Sequence, residues 1–383
     1  MEAIGEDASI RLDQTRPVEN VRNGYSFFEN GDVAFAKVTP CFENGKATVM
    51  AGLDGGAGFG TTEITVARPN KKINNRFLFY VLTDDIFRQQ GKSSMTGAGG
   101  LKRVPDLFTK DYSFIMPPLE EQHQIVEFLD QETTQIDDLI RKQECLIELL
   151  AEKRQAVITQ AVIKGLDPDA PTKSSGIPWV GDIPKHWNCS PLKWLAKLTT
   201  GITPSTANDD NFPDEQTAYP WVRPEDLNES GFPTIASKYL SLDAWNSCRP
   251  VVAGSVLICC IGATLGKAGI VDSPTVTNQQ ITSIESNFEG KYLFSLIGVA
   301  RQEIEAMSVG NTLPIINTSR LGMLALPIPP NIEQVQIANY IDSRSAQIDQ
   351  LTSKSQKAVS LLHERRSALI SAAVAGRLEY DLD

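Results

Sequence analysis

The chain has 383 residues, 41% of them apolar, with 36 Lys and Arg against 47 Asp and Glu and a net charge of −11. That length supports two domains with cores of their own. The acidic balance argues against a generic nucleic-acid coat but leaves room for a protein that meets DNA with selected loops. No apolar run approaches the ~18 residues of a membrane span. The opening MEAIGEDASI has neither the basic segment nor the apolar core of a signal peptide. The six cysteines form no CxxC pair, so a reduced cytoplasmic protein with buried thiols, no zinc site and no cofactor of its own is expected.

In chain order, residues 1–118 read as a first, mainly β module. The strand-like runs are VAFAKV (33–38), TEITVA (62–67) and YSFIM (112–116), with one helix expected over 75–90. Asn30-Gly31, Asn44-Gly45, the glycine cluster 55–60 and Gly97 to Gly100 punctuate them as turns. Residues 119–165 read as a long helix behind Pro117-Pro118, a pair suited to a helix start. Leu129, Ile136, Leu150 and Val157 recur at heptad spacing with Gln143 between them, which predicts a coiled-coil seam. Leu139, Ile140, Leu146 and Ile147 are expected to widen it. Residues 166–177, rich in Pro, Ser and Asp, read as a linker.

Residues 178–330 form a second module with runs SVLICCIG (255–262), KAGIV (267–271) and QQITSIES (279–286) and a helix over 290–307. Residues 331–378 repeat the long helix, with seam positions Ile341, Ile348, Ser355, Leu362 and Leu369, widened by Leu351, Val359 and Ala372. Gln143 and Ser355 occupy the same seam position and are expected to fix register. The class expected is α+β: two mixed, mainly β domains, separated and followed by two long helices.

The segments 117–165 and 329–377 align without a gap at an offset of 212, with 20 of 49 positions identical. The modules repeat as well: 31–49 parallels 254–271, 61–64 parallels 277–281, 77–90 parallels 292–304, and 95–105 parallels 308–317. A repeat this long is a duplicated module rather than a solenoid, whose periods run from roughly 20 to 50 residues. The second module carries residues 175–220 ahead of WVRPEDL (221–227), and the first has no counterpart. An incomplete first module with exposed apolar surface is therefore expected.

Enzyme signatures are weak. GATLGKA (262–268) has three residues between its glycines and Ala268 after the Lys, which does not fit a phosphate loop. GGAGFG (55–60) does not open a helix after a strand. MPPL and IPPN are not the motif of an amino-methyltransferase.

Two Pro-Pro, E-Q-x-x-I, long-helix segments close the modules. SGIPWVGDIPKHW (175–187) opens the second, and EKRQAVITQAVIKG (152–165) and ERRSALISAAVAGR (364–377) end the helices. In these features the chain resembles the DNA-specificity subunit of type I restriction-modification systems over nearly its whole length. The resemblance implies a non-catalytic subunit whose two target-recognition domains each read half of a two-part DNA site. It implies an antiparallel helix pair as spacer, on which two methyltransferase subunits dock, with two restriction/translocase subunits joining for cleavage. S-adenosylmethionine, ATP and Mg2+ would then belong to those partners. A helix of about 46 residues is roughly 69 Å long, or about two turns of B-DNA at roughly 34 Å each. Helix length would thus set the gap between half-sites. The alternatives are an inactive or partial allele of such a subunit, a self-contained DNA methyltransferase or nuclease, and a coiled-coil assembly protein with no DNA role.

Base reading needs paired donors and acceptors, and phosphate contacts need cations or hydroxyls. In the first module the candidates are Arg11, Arg16, Arg22, Lys37, Asn44, Lys46, Lys71, Lys72, Lys102 and Arg103. In the second they are Arg223, Lys238, Thr264, Lys267, Asn278, Gln279, Gln280 and Asn311. Asn278 to Gln280 stand out as three amides ahead of an apolar strand.

Overall fold

The computed structural model describes residues 2–5, 8–98, 100–231, 233–310 and 312–377. The chain begins with α1 (Val18–Val21), β1 (Ser26–Glu29), β2 (Val33–Ala36), β3 (Ala47–Val49), β4 (Ala57–Gly60) and β5 (Ile64–Ala67). Then come α2 (Asn75–Thr83), α3 (Asp85–Ser94), β6 (Thr96–Ala98), β7 (Leu101–Arg103), α4 (Asp106–Asp111) and the long α5 (Leu119–Lys164). Strands β8 (Thr172–Ser174), β9 (Asp182–Pro184), β10 (Asn188–Pro191), β11 (Ala196–Thr200), β12 (Pro220–Val222) and β13 (Lys238–Tyr239) follow. After α6 (Leu242–Ser247) come β14 (Val256–Cys259), β15 (Ala268–Ile270), β16 (Val276–Thr277) and β17 (Ile281–Ser286). The chain ends with α7 (Gly290–Val299), α8 (Arg301–Ala306), α9 (Thr318–Leu321), β18 (Ala325–Ile328) and the long α10 (Asn331–Val374). It divides into two units, residues 1–146 with 354–383 (unit 1) and residues 147–353 (unit 2).

Unit 2 is built on the antiparallel sheet β11-β17-β14-β15. Its central strand β14, VLIC, is buried on both faces, which explains why that run is continuously apolar rather than alternating. Tyr292, Leu293, Leu296 and Ile297 of α7 pack on one side of it. Leu227, Val251, Val271 and Ile281 close the other side around Leu257.

Unit 1 repeats this frame register for register. Val33 lies between Val49 and Ala67 as Val256 lies between Ile270 and Ile284. Phe35 lies between Ala47 and Thr65 as Ile258 lies between Ala268 and Thr282. Its smaller core, Ile4, Phe28, Ala34, Met50 and Ile64, matches Leu227, Val251, Leu257, Val271 and Ile281 one for one. Unit 1 has a feature of its own at Asp32. That carboxylate is 3% exposed, accepts Arg68 Nε at 2.9 Å and Nη2 at 2.8 Å, and accepts the Glu29 N–H at 2.8 Å. The Arg68 hydrogen bonds hold its pKa below the usual carboxylate value. A depressed folded pKa contributes stability that is complete above the unfolded value, ~3.9, and lost as pH falls through the folded one. Acid titration of the chain, read by exchange in unit 1, is therefore expected to show a stability loss beginning below about pH 4 that Asp32→Asn reduces.

Each unit contains part of both long helices, running antiparallel. In unit 1, Ile125 and Leu129 share a core with Ile370 and Ala373, and Arg366 Nε meets Asp137 at 2.9 Å. In unit 2, Ala161, Val162 and Ile163 share a core with Ile337, Ala338 and Ile341, and Arg154 meets Asp349 at 2.7 Å. Adding the repeat offset of 212 to Asp137 and Arg154 gives Asp349 and Arg366, so one ion pair is made twice with the helices exchanged.

Of the seam residues, Leu129, Ile136, Leu150, Ile341, Ile348 and Ser355 are buried, and Gln143, Val157, Leu362 and Leu369 are half-buried. Among the described residues no hydrogen bond joins Gln143 to Ser355, and the Arg–Asp pairs supply the polar register marks instead. Leu139, Leu146 and Leu351 do not widen the seam: they are 46%, 41% and 49% exposed. A turn of 3.6 residues carries Ile140 inward and its neighbour Leu139 outward.

Several other expectations are corrected. The helix over 75–90 breaks at Asp84, whose extended backbone and side-chain bond to the Ile86 N–H cap a second helix. The helix over 290–307 breaks at Ala300. YSFIM forms no strand, residues 172–174 of the expected linker form β8 paired to β9, and four of the six residues of GGAGFG form β4 paired to β1. Only Cys259 and Cys260 are buried thiols. Cys145 is exposed, because its helix turns it away from the seam.

Candidate nucleic-acid interface

The two modules build a cationic corner at the same register. Gly45-Lys46-Ala47 enters β3 as Gly266-Lys267-Ala268 enters β15. Both glycines have positive φ, 72° and 81°, where L residues are disfavoured. An arginine from the helical layer packs against each: Arg88 beside Gly45 and Arg301 beside Gly266. Arg88 pairs with Asp85 and donates to the Glu43 carbonyl at 3.3 Å. Arg301 pairs with Glu229 at 2.9 Å and Glu305 at 3.0 Å. Lys267 Nζ donates to the Pro224 carbonyl at 3.2 Å, next to Arg223. Sequence reasoning singled out the two lysines and missed the arginines. The GKA tripeptide common to both modules was the available signal.

The remaining candidates fall into three groups. Some cations already have acidic partners. Lys37 pairs with Asp106 at 3.1 Å. Arg103 lies on Glu63 at 2.6 Å and 2.8 Å, and that bond lowers the Glu63 pKa and raises that of Arg103. Arg223 meets Glu225 at 2.7 Å and Ser237 Oγ at 2.9 Å, with its guanidinium over the Trp221 ring. A second group has no acidic partner among the described residues: Arg11, Arg16, Arg22, Lys71, Lys72, Lys102 and Lys238 are all exposed. Arg11 donates instead to the Glu2 carbonyl at 2.8 Å. Lys102 and Arg103 reach Lys37 through backbone bonds from Thr39 and Val104, which gathers these three at one edge. Arg11, Arg16 and Arg22 are not tied to that edge by any described hydrogen bond.

The third group is polar and uncharged. Asn278 is 8% exposed and spends its side chain locally, accepting from the Gln280 N–H at 3.1 Å and donating to Gln280 Oε1 at 3.0 Å. That is the turn-forming use of Asn. Gln279 is exposed and accepts a hydrogen bond from Thr203 Oγ1. Thr264 Oγ1 lies 3.2 Å from Cys259 Sγ. Asn44 is exposed in the loop before Gly45. Asn311 lies outside the described residues.

Both modules are fastened to their long helix by the same residues. Gln122 is fully buried. Its Oε1 accepts the N–H of Asn74, the N-cap of α2, at 2.7 Å, and its Nε2 donates to Pro117 at 2.9 Å and Lys72 at 3.0 Å. Gln334 accepts the N–H of Glu289, the N-cap of α7, at 2.9 Å and donates to Pro329 at 2.9 Å. Asp130 takes Arg76 and, at 2.5 Å, the Tyr80 hydroxyl, and burial pushes the Tyr80 pKa up to about 12. Asp342 takes Lys291 at 2.5 Å. Among the described residues no group of His, Cys, Asp or Glu converges to hold a metal ion, and no helix is long and apolar enough to cross a membrane.

A protein-family model for the type I restriction modification DNA specificity domain matches residues 19–149 and 184–360. The specificity subunit of the Escherichia coli type I restriction enzyme EcoAI is 42% identical over 137 residues, 36% of this chain and 23% of that protein. That of EcoEI, also from Escherichia coli, is 46% identical over 107 residues, 28% of this chain and 18% of that protein. The matched stretches thus span about a quarter or less of these relatives. A chain in a solved structure concerning complex assembly and conformational transition of the type I R-M system superposes with a TM-score of 0.79 at 19% identity, covering 98% of this chain and 90% of that one. The shared fold, the frame repeated in both units and a family match that runs through both of them place this chain in the type I restriction-modification DNA specificity family.

Proposed function

We propose that this chain is the non-catalytic DNA-reading subunit of a type I restriction-modification complex in the cytoplasm, with each module reading one half of a two-part site. The observation that carries this reading is one frame bearing two kinds of surface. The Gly-Lys corner is common to both modules and suits phosphate, which every sequence presents. The loop ahead of β17 carries Asn278, Gln279 and Gln280, whereas the loop at the same register ahead of β5 carries Thr61, Thr62 and Glu63. Differing side chains on a common frame are what two different half-sites require.

Two methyltransferase subunits and two restriction/translocase subunits are the partners in this reading, and they supply S-adenosylmethionine, ATP and Mg2+ chemistry. Twofold docking is supported by exposed leucines that recur at the offset of 212: Leu139 with Leu351, and Leu149 with Leu361, at 46%, 49%, 54% and 54% exposure. Apolar positions repeated this way offer one partner the same contact twice.

Lys46→Ala and Lys267→Ala are each expected to weaken binding to all duplexes alike and to lower the salt slope by about one. Gln279→Ala is expected to relax one position of the site at a cost of about 1–3 kcal/mol. Fluorescence anisotropy with the assembled methyltransferase, across salt and single-base variants, reads both effects. Deleting the gene should remove one two-part adenine-methylation motif from the host methylome. Loss of no motif, or of a continuous one only, overturns the reading.

A further inference from the structure

Three surfaces of the second module are covered by its own residues 182–200, and the matching surfaces of the first module are uncovered. β11 lies antiparallel on β17, with Thr200 opposite Thr282 and Leu198 opposite Ile284. β5 holds the place of β17, with Thr65 at the position of Thr282 and Ala67 at that of Ile284. Among the described residues its outer edge pairs with no strand. Thr282, Ser283 and Ile284 are buried, while Thr65, Val66 and Ala67 are only half-buried.

The second surface precedes the Pro-Pro pair. β10 lies antiparallel on β18, and Leu326 is fully buried beneath it. At the repeat offset of 212, Phe114, Ile115 and Met116 stand where Leu326, Pro327 and Ile328 stand, and they are 37%, 64% and 51% exposed. Residues 113–116 make no backbone hydrogen bond among the described residues. The third surface is a carboxylate. Glu333 accepts from Trp187 Nε1 at 2.9 Å, and His186 Nε2 lies 2.7 Å from its other oxygen. Glu121, its counterpart, is half-buried, and its side chain has no hydrogen bond or ion pair among the described residues.

We propose that unit 1 binds an additional polypeptide segment from outside residues 1–383, with an indole donor, a strand and a second strand in the order seen over residues 187–200. An unpaired edge, three adjacent exposed apolar side chains and an unpartnered carboxylate are each satisfied by that one chemistry, through strand addition and a charge-assisted hydrogen bond. A second copy pairing β5 with β5 would cover the edge alone. The surface also sets the charge of its occupant. Arg68 holds the place of Glu285, which faces Lys197 at 3.4 Å, and it already bonds Asp32 and Glu29, so the residue opposite it is not basic. Pro69 holds the place of Ser286 and has no N–H to offer, so the ladder ends at Arg68.

This inference rests on the shared module plan and not on DNA reading, and its test contains no DNA. Hydrogen–deuterium exchange on the full chain is compared with and without a synthetic peptide reproducing residues 181–201 with Lys197→Glu. Slowed exchange is expected over 64–68 and 113–116. A peptide carrying Trp187→Ala, or a chain carrying Glu121→Ala, should bind at least about tenfold more weakly, because each loses a hydrogen bond to a charged group. No protection at either segment, protection confined to unit 2, or equal affinity of the Trp187→Ala peptide overturns the proposal. So does protection of β5 by self-association without peptide. A negative result here counts against the segment and leaves the anisotropy and methylome tests of DNA reading standing.

Discussion

Trp187→Ala is expected to destabilise unit 2 by about 3–5 kcal/mol, the range for truncating a fully buried tryptophan. Trp187 is 0% exposed, and its ring lies against Gly165, where an added Cβ would come within 3.2 Å of the indole. Truncation opens a cavity at the junction of α5, β9 and β10 and strips Glu333 of a hydrogen-bond donor. Trp187→Phe should recover much of the packing but not that bond, and fall between the two. Urea denaturation of the full chain, with exchange rates in residues 147–353 as the local readout, separates these contributions. A loss below about 1 kcal/mol for the alanine variant would mean that the site collapses onto the cavity, contrary to the packing described.

Gln334→Ala and Gln122→Ala are the next largest expected effects, about 2–4 kcal/mol each, at about 1–3 kcal/mol for every buried group left unpaired. Each amide ties three segments together: a module helix N-cap, the Pro-Pro turn and the first turn of a long helix. Removing it leaves an N–H and at least one carbonyl without their partner beside a buried position. Because the two sites share one geometry, the two losses should be similar, each localised by exchange to its own unit. Gln→Glu should also be costly, since a carboxylate cannot donate to Pro117 or Pro329. A neutral Gln122→Ala beside a costly Gln334→Ala would show that the fastening works in one module only.

The repeat explains why so much of the frame was legible in the sequence. Identity at 20 of 49 positions and a heptad period are local properties of the chain. They located both long helices and the buried residues Leu129, Ile136, Leu150, Ile341 and Ile348. The identical pairs Gln122/Gln334 and Asp130/Asp342 were visible too, but not their task. That depends on Asn74, Glu289, Arg76 and Lys291 arriving from other elements. The candidate interface was legible only by residue type. Asn278 was legible as an amide ahead of an apolar strand, but its local hydrogen bonds to Gln280 were not, because a short amide satisfies its nearest backbone group first.

By itself, then, the sequence determined the duplication, the α+β class, the helix seams and the family, all of which follow from local pattern and from identity between the copies. Tertiary structure alone decided which residues pair across the chain: β11 on β17, β10 on β18, Arg154 on Asp349 and Arg366 on Asp137. It also decided which apolar residues stay outside, from Leu139 and Leu351 on the helices to Phe114, Ile115 and Met116 before the Pro pair. The physical reason is that strand pairing and burial are contacts between distant segments. A period or a motif states that a residue can be buried, and only the partner that reaches it determines whether it is.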